Sequence, residues 1–111
     1  MKIQTKQADQ IDSVELEGDL DFHSSPDLRK ELTKLIEKQA AKIMIDFKKV
    51  SYIDSSGLAT FVELFQRVKR YSGKLVLFNM SVSVRSVFEI SKLDTIFKLA
   101  ANEAEAITLV S

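Results

Sequence analysis

Between two amphipathic patterns lies an almost unbroken apolar run, Ile43-Met44-Ile45-Asp46-Phe47. This run constrains the fold more than any other stretch. A half-exposed strand alternates apolar and polar residues, whereas a strand covered on both faces does not need to. Before the run, Leu28, Leu32, Leu35 and Ile36 recur at helical spacing and form one apolar stripe, with Arg29, Lys30, Glu31, Lys34, Glu37 and Lys38 on the other faces. After it, a helix over residues 56–71 places Leu58, Phe61, Val62, Phe65 and Val68 on one side, widened by Leu64 and Tyr71. Thr60, Glu63, Gln66, Arg67 and Arg70 lie opposite, and Lys69 near the apolar side reaches water by its long stem. A second buried strand, Leu75-Val76-Leu77-Phe78, comes next. Strand, helix and strand in succession imply parallel pairs joined by right-handed crossovers.

Upstream, residues 1–6 alternate weakly and residues 13–17 clearly, with Val14 and Leu16 on one face. They read as an antiparallel hairpin at a sheet edge, with residues 7–12 as its turn. No Asn-Gly or Asp-Gly pair marks the turn type. Residues 18–21 end the second strand and residues 22–25 form a loop. Ser25 before Pro26 predicts a hydroxyl N-cap followed by proline at the first helical position, with Asp27 adding a favourable charge. Ser72-Gly73 predicts a helix stop with glycine in the left-handed conformation. A turn over residues 79–81, a short helix over 82–90, a short strand over 96–99 and a final helix capped by Asn102 complete the chain. The expected fold is α/β: one domain with an N-terminal β-hairpin and a mostly parallel sheet of about 4–5 strands packed with about four helices.

A chain of 111 residues suits one domain with one core. Sixteen basic residues balance sixteen acidic ones, which argues against broad electrostatic binding to nucleic acid or an anionic membrane. The absence of cysteine excludes a disulfide scaffold and thiolate metal sites. The N-terminal residues lack the apolar core of a signal peptide, and no apolar run approaches the roughly 20 residues of a membrane span. A cytoplasmic domain is expected.

The loops at residues 21–25, 51–56 and 79–81 all leave the carboxyl ends of strands, the edge where ligands and partners of open α/β sheets usually dock. Asp54-Ser55-Ser56-Gly57 lies there, between a strand and a helix. Ser56 has two readings: a helix N-cap, or a modifiable hydroxyl that a partner approaches closely because Gly57 has no side chain. Asp54 and Ser55 also fit as turn residues. His23 is the one histidine and lies in another loop at this edge, so a Ser56–His23–Asp arrangement is conceivable. However, no Gly-x-Ser-x-Gly elbow, second histidine or Gly-rich phosphate loop is present. No catalytic or cofactor-binding residue is assigned. Asp19, Asp21 and Asp54 lack metal-ligand spacing and read as solvated turn residues, so no metal site is assigned either.

Gly18-Asp19-Leu20-Asp21, a helix, and then Ile45 through Asp54-Ser55-Ser56-Gly57-Leu58 resemble the STAS domain, and more closely the bacterial anti-sigma-factor antagonists. The resemblance covers essentially the whole chain, including Leu93-Asp94-Thr95-Ile96-Phe97. It implies a non-enzymatic protein that binds an anti-sigma factor with serine kinase activity and so releases a sigma factor. Phosphorylation ends the interaction, and a PP2C-type serine phosphatase restores it. The modified position in the family motif matches Ser56, with Ser55 as the alternative. Asp21, Asp54, Ser55 and Gly57 fall at partner-binding positions, and no nucleic acid, membrane or cofactor is implied. The second reading is a STAS scaffold, a docking subunit of a signalling complex or transporter that phosphorylation does not control. The chain departs from the commonest family pattern at Ala59, where many relatives have glycine, and at Ser91-Lys92-Leu93, where a glycine often precedes the leucine.

Overall fold

Strand order across the sheet equals strand order along the chain. The computed structural model describes residues 1–111. It contains β1 (Lys2–Ala8), β2 (Ile11–Leu20), β3 (Lys42–Ile53), β4 (Lys74–Phe78) and β5 (Lys98–Ala100), hydrogen-bonded in that sequence. β1 pairs antiparallel with β2, and the other three pairs are parallel. The crossovers are α1 (Ser25–Glu37) from β2 to β3, α2 (Ser55–Arg70) from β3 to β4, and α3 (Val82–Ile90) with a 3₁₀ turn (Leu93–Thr95) from β4 to β5. A fourth helix, α4 (Glu103–Val110), closes the chain. The expected mixed sheet with four helices is the fold observed.

The apolar run of β3 is covered on both faces. Ile43, Ile45 and Phe47 join the main core with residues of α1, α2 and α3, while Met44 joins a second cluster with Val76, Phe78, Ala100, Ala106 and Val110 under α4. Phenylalanines link the elements of the main core. Phe47 lies 5.2 Å from Phe61 and 6.1 Å from Phe88, Phe88 lies 5.7 Å from Phe97, and Phe97 lies 5.5 Å from Phe65 (centroid distances). Tilted and edge-on pairs at these separations are the geometries favoured by the aromatic quadrupole.

β3 is longer than its apolar run suggests. Its pairing with β4 ends at Asp46 opposite Phe78, but its pairing with β2 continues to Ile53 opposite Leu20. Residues 48–53, beyond the apolar run and in part within the expected 51–56 loop, are therefore strand. Their polar side chains hid this, because one neighbouring strand suffices to extend β3. Asp46 marks the parting point: its Oδ1 accepts from the Lys48 N–H at 2.8 Å and the Asn79 side-chain amide at 3.1 Å.

The turns differ from expectation in informative ways. The hairpin turn is not six residues but two, Asp9 and Gln10, both with positive φ (52° and 66°). This conformation suits a tight hairpin, and glutamine is not a residue that signals it. Helix α1 starts one residue early, with Ser24 at the N-cap position and no side-chain cap bond. The Ser25 hydroxyl donates instead to the Asp21 carbonyl at 2.7 Å. At the end of α2 the left-handed residue is Ser72 (φ 62°), not Gly73. The Gly73 N–H donates to the Val68 carbonyl at 3.0 Å, and the Ser72 N–H to that of Lys69 at 3.1 Å, a Schellman closure. Glycine is needed at 73 for space, since a Cβ there would stand 2.8 Å from both Tyr71 Cε1 and Val68 Cγ1. Thr60, expected on the polar face, is buried because α2 also packs against α1, and its hydroxyl donates to the Ser56 carbonyl at 3.0 Å. The short third helix and the Asn102 cap match the expectation; Asn102 Oδ1 accepts from the Glu105 N–H at 2.9 Å. The last strand is shifted to Lys98–Ala100.

Lys92, at the position where glycine often precedes the leucine, has φ 60°. The departure from the family pattern thus leaves a lysine in the left-handed region, which costs about 1 kcal/mol relative to glycine. Lys92→Gly is expected to raise stability by about 0.5–1 kcal/mol, read as a higher urea midpoint at unchanged slope.

Candidate functional site

The register of β2 and β3 assembles this edge. Asp19 lies opposite Tyr52 and Leu20 opposite Ile53, so the two strands deliver Asp21 and Asp54 side by side. The Leu20 carbonyl accepts from the Asp54 N–H at 3.0 Å and ties the two exits together.

Both aspartates then organise the backbone just beyond them. Asp21 Oδ1 accepts from the N–H groups of His23 at 2.9 Å and Ser24 at 3.0 Å. The Ser24 hydroxyl donates to the Asp19 carbonyl at 2.7 Å, and its oxygen accepts from the Asp21 N–H at 3.0 Å. The Ser24 N–H, followed by the His23 N–H, holds the Asp21 carboxyl below its ordinary value, and partial burial opposes them. Asp54 Oδ1 accepts from the N–H groups of Ser56 at 2.9 Å and Gly57 at 3.2 Å. In each case Oδ2 makes no hydrogen bond within the chain and remains available.

Asp54, not Ser56, is the N-cap of α2. Its carboxylate reaches the N–H groups of the second and third helical residues, which satisfies two orphan donors of the first turn. Ser55 and Ser56 become the first and second residues of the helix. Neither hydroxyl has a partner in the chain; Ser55 is exposed and Ser56 half-buried. The cap reading of Ser56 is thereby corrected.

Gly57 is buried. A Cβ there would stand 2.8 Å from the Leu20 carbonyl oxygen and 2.9 Å from Ile53 Cγ1. Its missing side chain lets α2 rest on the ends of β2 and β3, so its contribution to the surface runs through the residues it positions. His23 is exposed and meets Phe22 edge-on at 5.6 Å. No hydrogen bond joins its ring to Ser56 or to a carboxylate. Asp19 is exposed on β2.

Sequence reasoning missed an apolar rim. Phe22 is 73% exposed, Tyr52 52% and Val82 85%. They lie at or just past the ends of β2, β3 and β4, so the parallel topology sends all three to this edge. The sequence places them in two loops and at a helix start, and only their exposure marks them out.

The fold and this edge define an α/β domain whose free hydroxyls and half-used carboxylates gather at the carboxyl ends of its strands. The STAS domain family matches residues 2–106, and the chain belongs to that family. It is 38% identical over 101 residues to the anti-sigma-B factor antagonist of Bacillus subtilis, covering 91% of this chain and 92% of that one. It is similar in fold to a putative anti-sigma factor antagonist from Thermotoga maritima (TM-score 0.92, 22% identity, 97% and 93% of the two chains). It is also similar to the Bacillus cell fate determinant SpoIIAA in its phosphorylated form (TM-score 0.75, 28% identity, 99% and 100% of the two chains). No helix is long and apolar enough to cross a membrane.

Gly57→Ala is expected to destabilise the chain by about 1–3 kcal/mol, since the added methyl meets backbone rather than a flexible side-chain tip; urea denaturation measures it. The lowered Asp21 value means that its contribution is present at neutral pH and lost as pH falls below the ordinary aspartate range. The gap in melting temperature between the unaltered chain and Asp21→Ala is therefore expected to narrow below about pH 4.

Proposed function

We propose that this chain is an anti-sigma-factor antagonist that acts in the cytoplasm and is switched off by phosphorylation of Ser56. Its partners on this reading are an anti-sigma factor with serine kinase activity and a PP2C-type phosphatase. The observation that carries the reading is the capping of α2 by Asp54, which leaves both serine hydroxyls of the motif without an internal task. The antagonists among its relatives and the phosphorylated form of a similar structure support it. The chain acts as a binding protein, and its surface comprises Asp21, Asp54 and Ser55, held in place by Gly57. Phe22, Tyr52 and Val82 supply the apolar contacts, aromatic anchors being the usual source of interface energy.

The switch is electrostatic. A phosphoserine carries roughly −1.5 to −2 charges near neutral pH. At Ser56 it stands at a helix N-terminus, where the dipole favours an anion, so the modified chain stays folded. The Asp54 and Asp21 carboxylates already lie at this edge. Phosphorylation turns a weakly charged contact surface into a concentrated negative one. A partner that had buried it must then desolvate a charge or face repulsion. No rearrangement of the fold is needed.

The test is incubation with a cognate anti-sigma kinase and ATP, read by intact mass and peptide sequencing. The unaltered chain gains one phosphate, Ser55→Ala still does, and Ser56→Ala does not. Phosphate gained by Ser56→Ala and lost by Ser55→Ala moves the switch to the alternative serine, and phosphate on neither points to the scaffold reading. Ser56→Asp is expected to weaken kinase binding by several kcal/mol while its melting temperature stays close to that of the parent.

A further inference from the structure

The amino-terminal edge of the sheet, opposite Ser56, carries a groove of about 430 Å³ between the end of α2 and the starts of β4 and β5. Phe65, Leu75 and Ile96 are among its apolar lining, Lys69, Lys74 and Lys98 border it, and no carboxylate does. Neither Lys69 nor Lys98 has an ion-pair partner within the chain. The Lys69 ammonium sits 5.9 Å from the centroid of the Phe65 ring, and Lys74 donates to the Ser111 carbonyl at 2.7 Å. Lys98 makes no side-chain hydrogen bond. In a chain of zero net charge this is a local excess of positive charge around an apolar floor.

Two structural reasons account for part of it. Cations in the last turn of α2 favour the helix dipole, and lysines on edge strands discourage aggregation. Neither calls for a recessed apolar floor beside them. The groove also abuts β5, the last strand of the sheet, whose outer edge is unpaired. A small inorganic anion gains nothing from Phe65 and Ile96, and a flat bilayer does not reach Leu75 and Val68, which lie buried in the groove. An extended peptide uses all three features: its backbone pairs with β5, its apolar side chains enter the groove, and its carboxylates meet the lysines.

We infer that this groove is a second docking site, for an acidic, apolar-anchored extended segment of a partner protein. Its α2 lining residues, Phe65 to Lys69, lie about 14–20 Å along the helix from Ser56. The domain can therefore hold two partners at once, one at each end of the same helix.

The test titrates the full chain into a fluorescein-labelled heptapeptide alternating glutamate with leucine, at low ionic strength, with amide shifts mapped by NMR. Saturable binding is expected, with shifts confined to residues 65–75 and 96–100. Lys69→Glu combined with Lys98→Glu is expected to weaken binding about ten-fold or more, and Ser56→Asp to leave it unchanged. Should the double reversal lower the melting temperature, Lys69→Gln with Lys98→Gln provides the comparison, and the shift map needs no variant. The inference is overturned by absent saturation, by shifts centred on residues 52–58, or by equal affinity of the folded variant. An all-glutamate peptide binding as tightly also overturns it, as do phosphatidylglycerol vesicles binding where the peptide does not.

Discussion

β3 must be covered on both faces, and the rest of the structure answers that requirement. Its apolar residues point alternately to the α1–α3 side and to α4, so neither layer alone could bury it. Phe47 couples β3 to α2 through Phe61 and to α3 through Phe88, and the series continues through Phe97 to Phe65. A strand held this firmly is a fixed rail for the segment attached to its end. That segment is the Asp54-Ser55-Ser56-Gly57 junction.

The junction depends on one close approach. Leu20 and Ile53 end their strands together, the Asp54 N–H bonds the Leu20 carbonyl, and Gly57 packs against the same carbonyl. With α2 seated there, the Asp54 carboxylate takes up the cap, and the serines are spared that role. Asp21 does the equivalent task in the neighbouring loop. Each aspartate uses one oxygen for the fold and leaves the other outward. The proposed switch draws on this rigidity, because a phosphate would change the charge of the surface and not its shape.

The two ends of α2 differ in chemistry. Its N-terminus offers hydroxyls and carboxylates within an apolar rim, whereas its C-terminus carries lysines around an apolar groove. One helix thus separates two surfaces of opposite charge character.

Much of this was legible in the chain itself. The almost unbroken apolar run at residues 43–47 and the helical stripes around it pointed to a parallel sheet with covered faces, since periodicity reports burial directly. The Asp-Ser-Ser-Gly motif placed the candidate edge at the carboxyl ends of the strands, because a junction that leaves a parallel strand for a helix lies there. Other features were settled by tertiary structure. Which residue caps α2 depended on how far β3 ran, and β3 ran to Ile53 because β2 continued beside it. Thr60 was buried by α1 and not by its own helical pattern. Gln10, Ser72 and Lys92 took left-handed conformations that their side chains do not announce, each at a turn that joins or ends regular elements. Local sequence determined the elements and their inward faces. The long-range packing of those elements decided where each one ended, and hence which hydroxyls were left free.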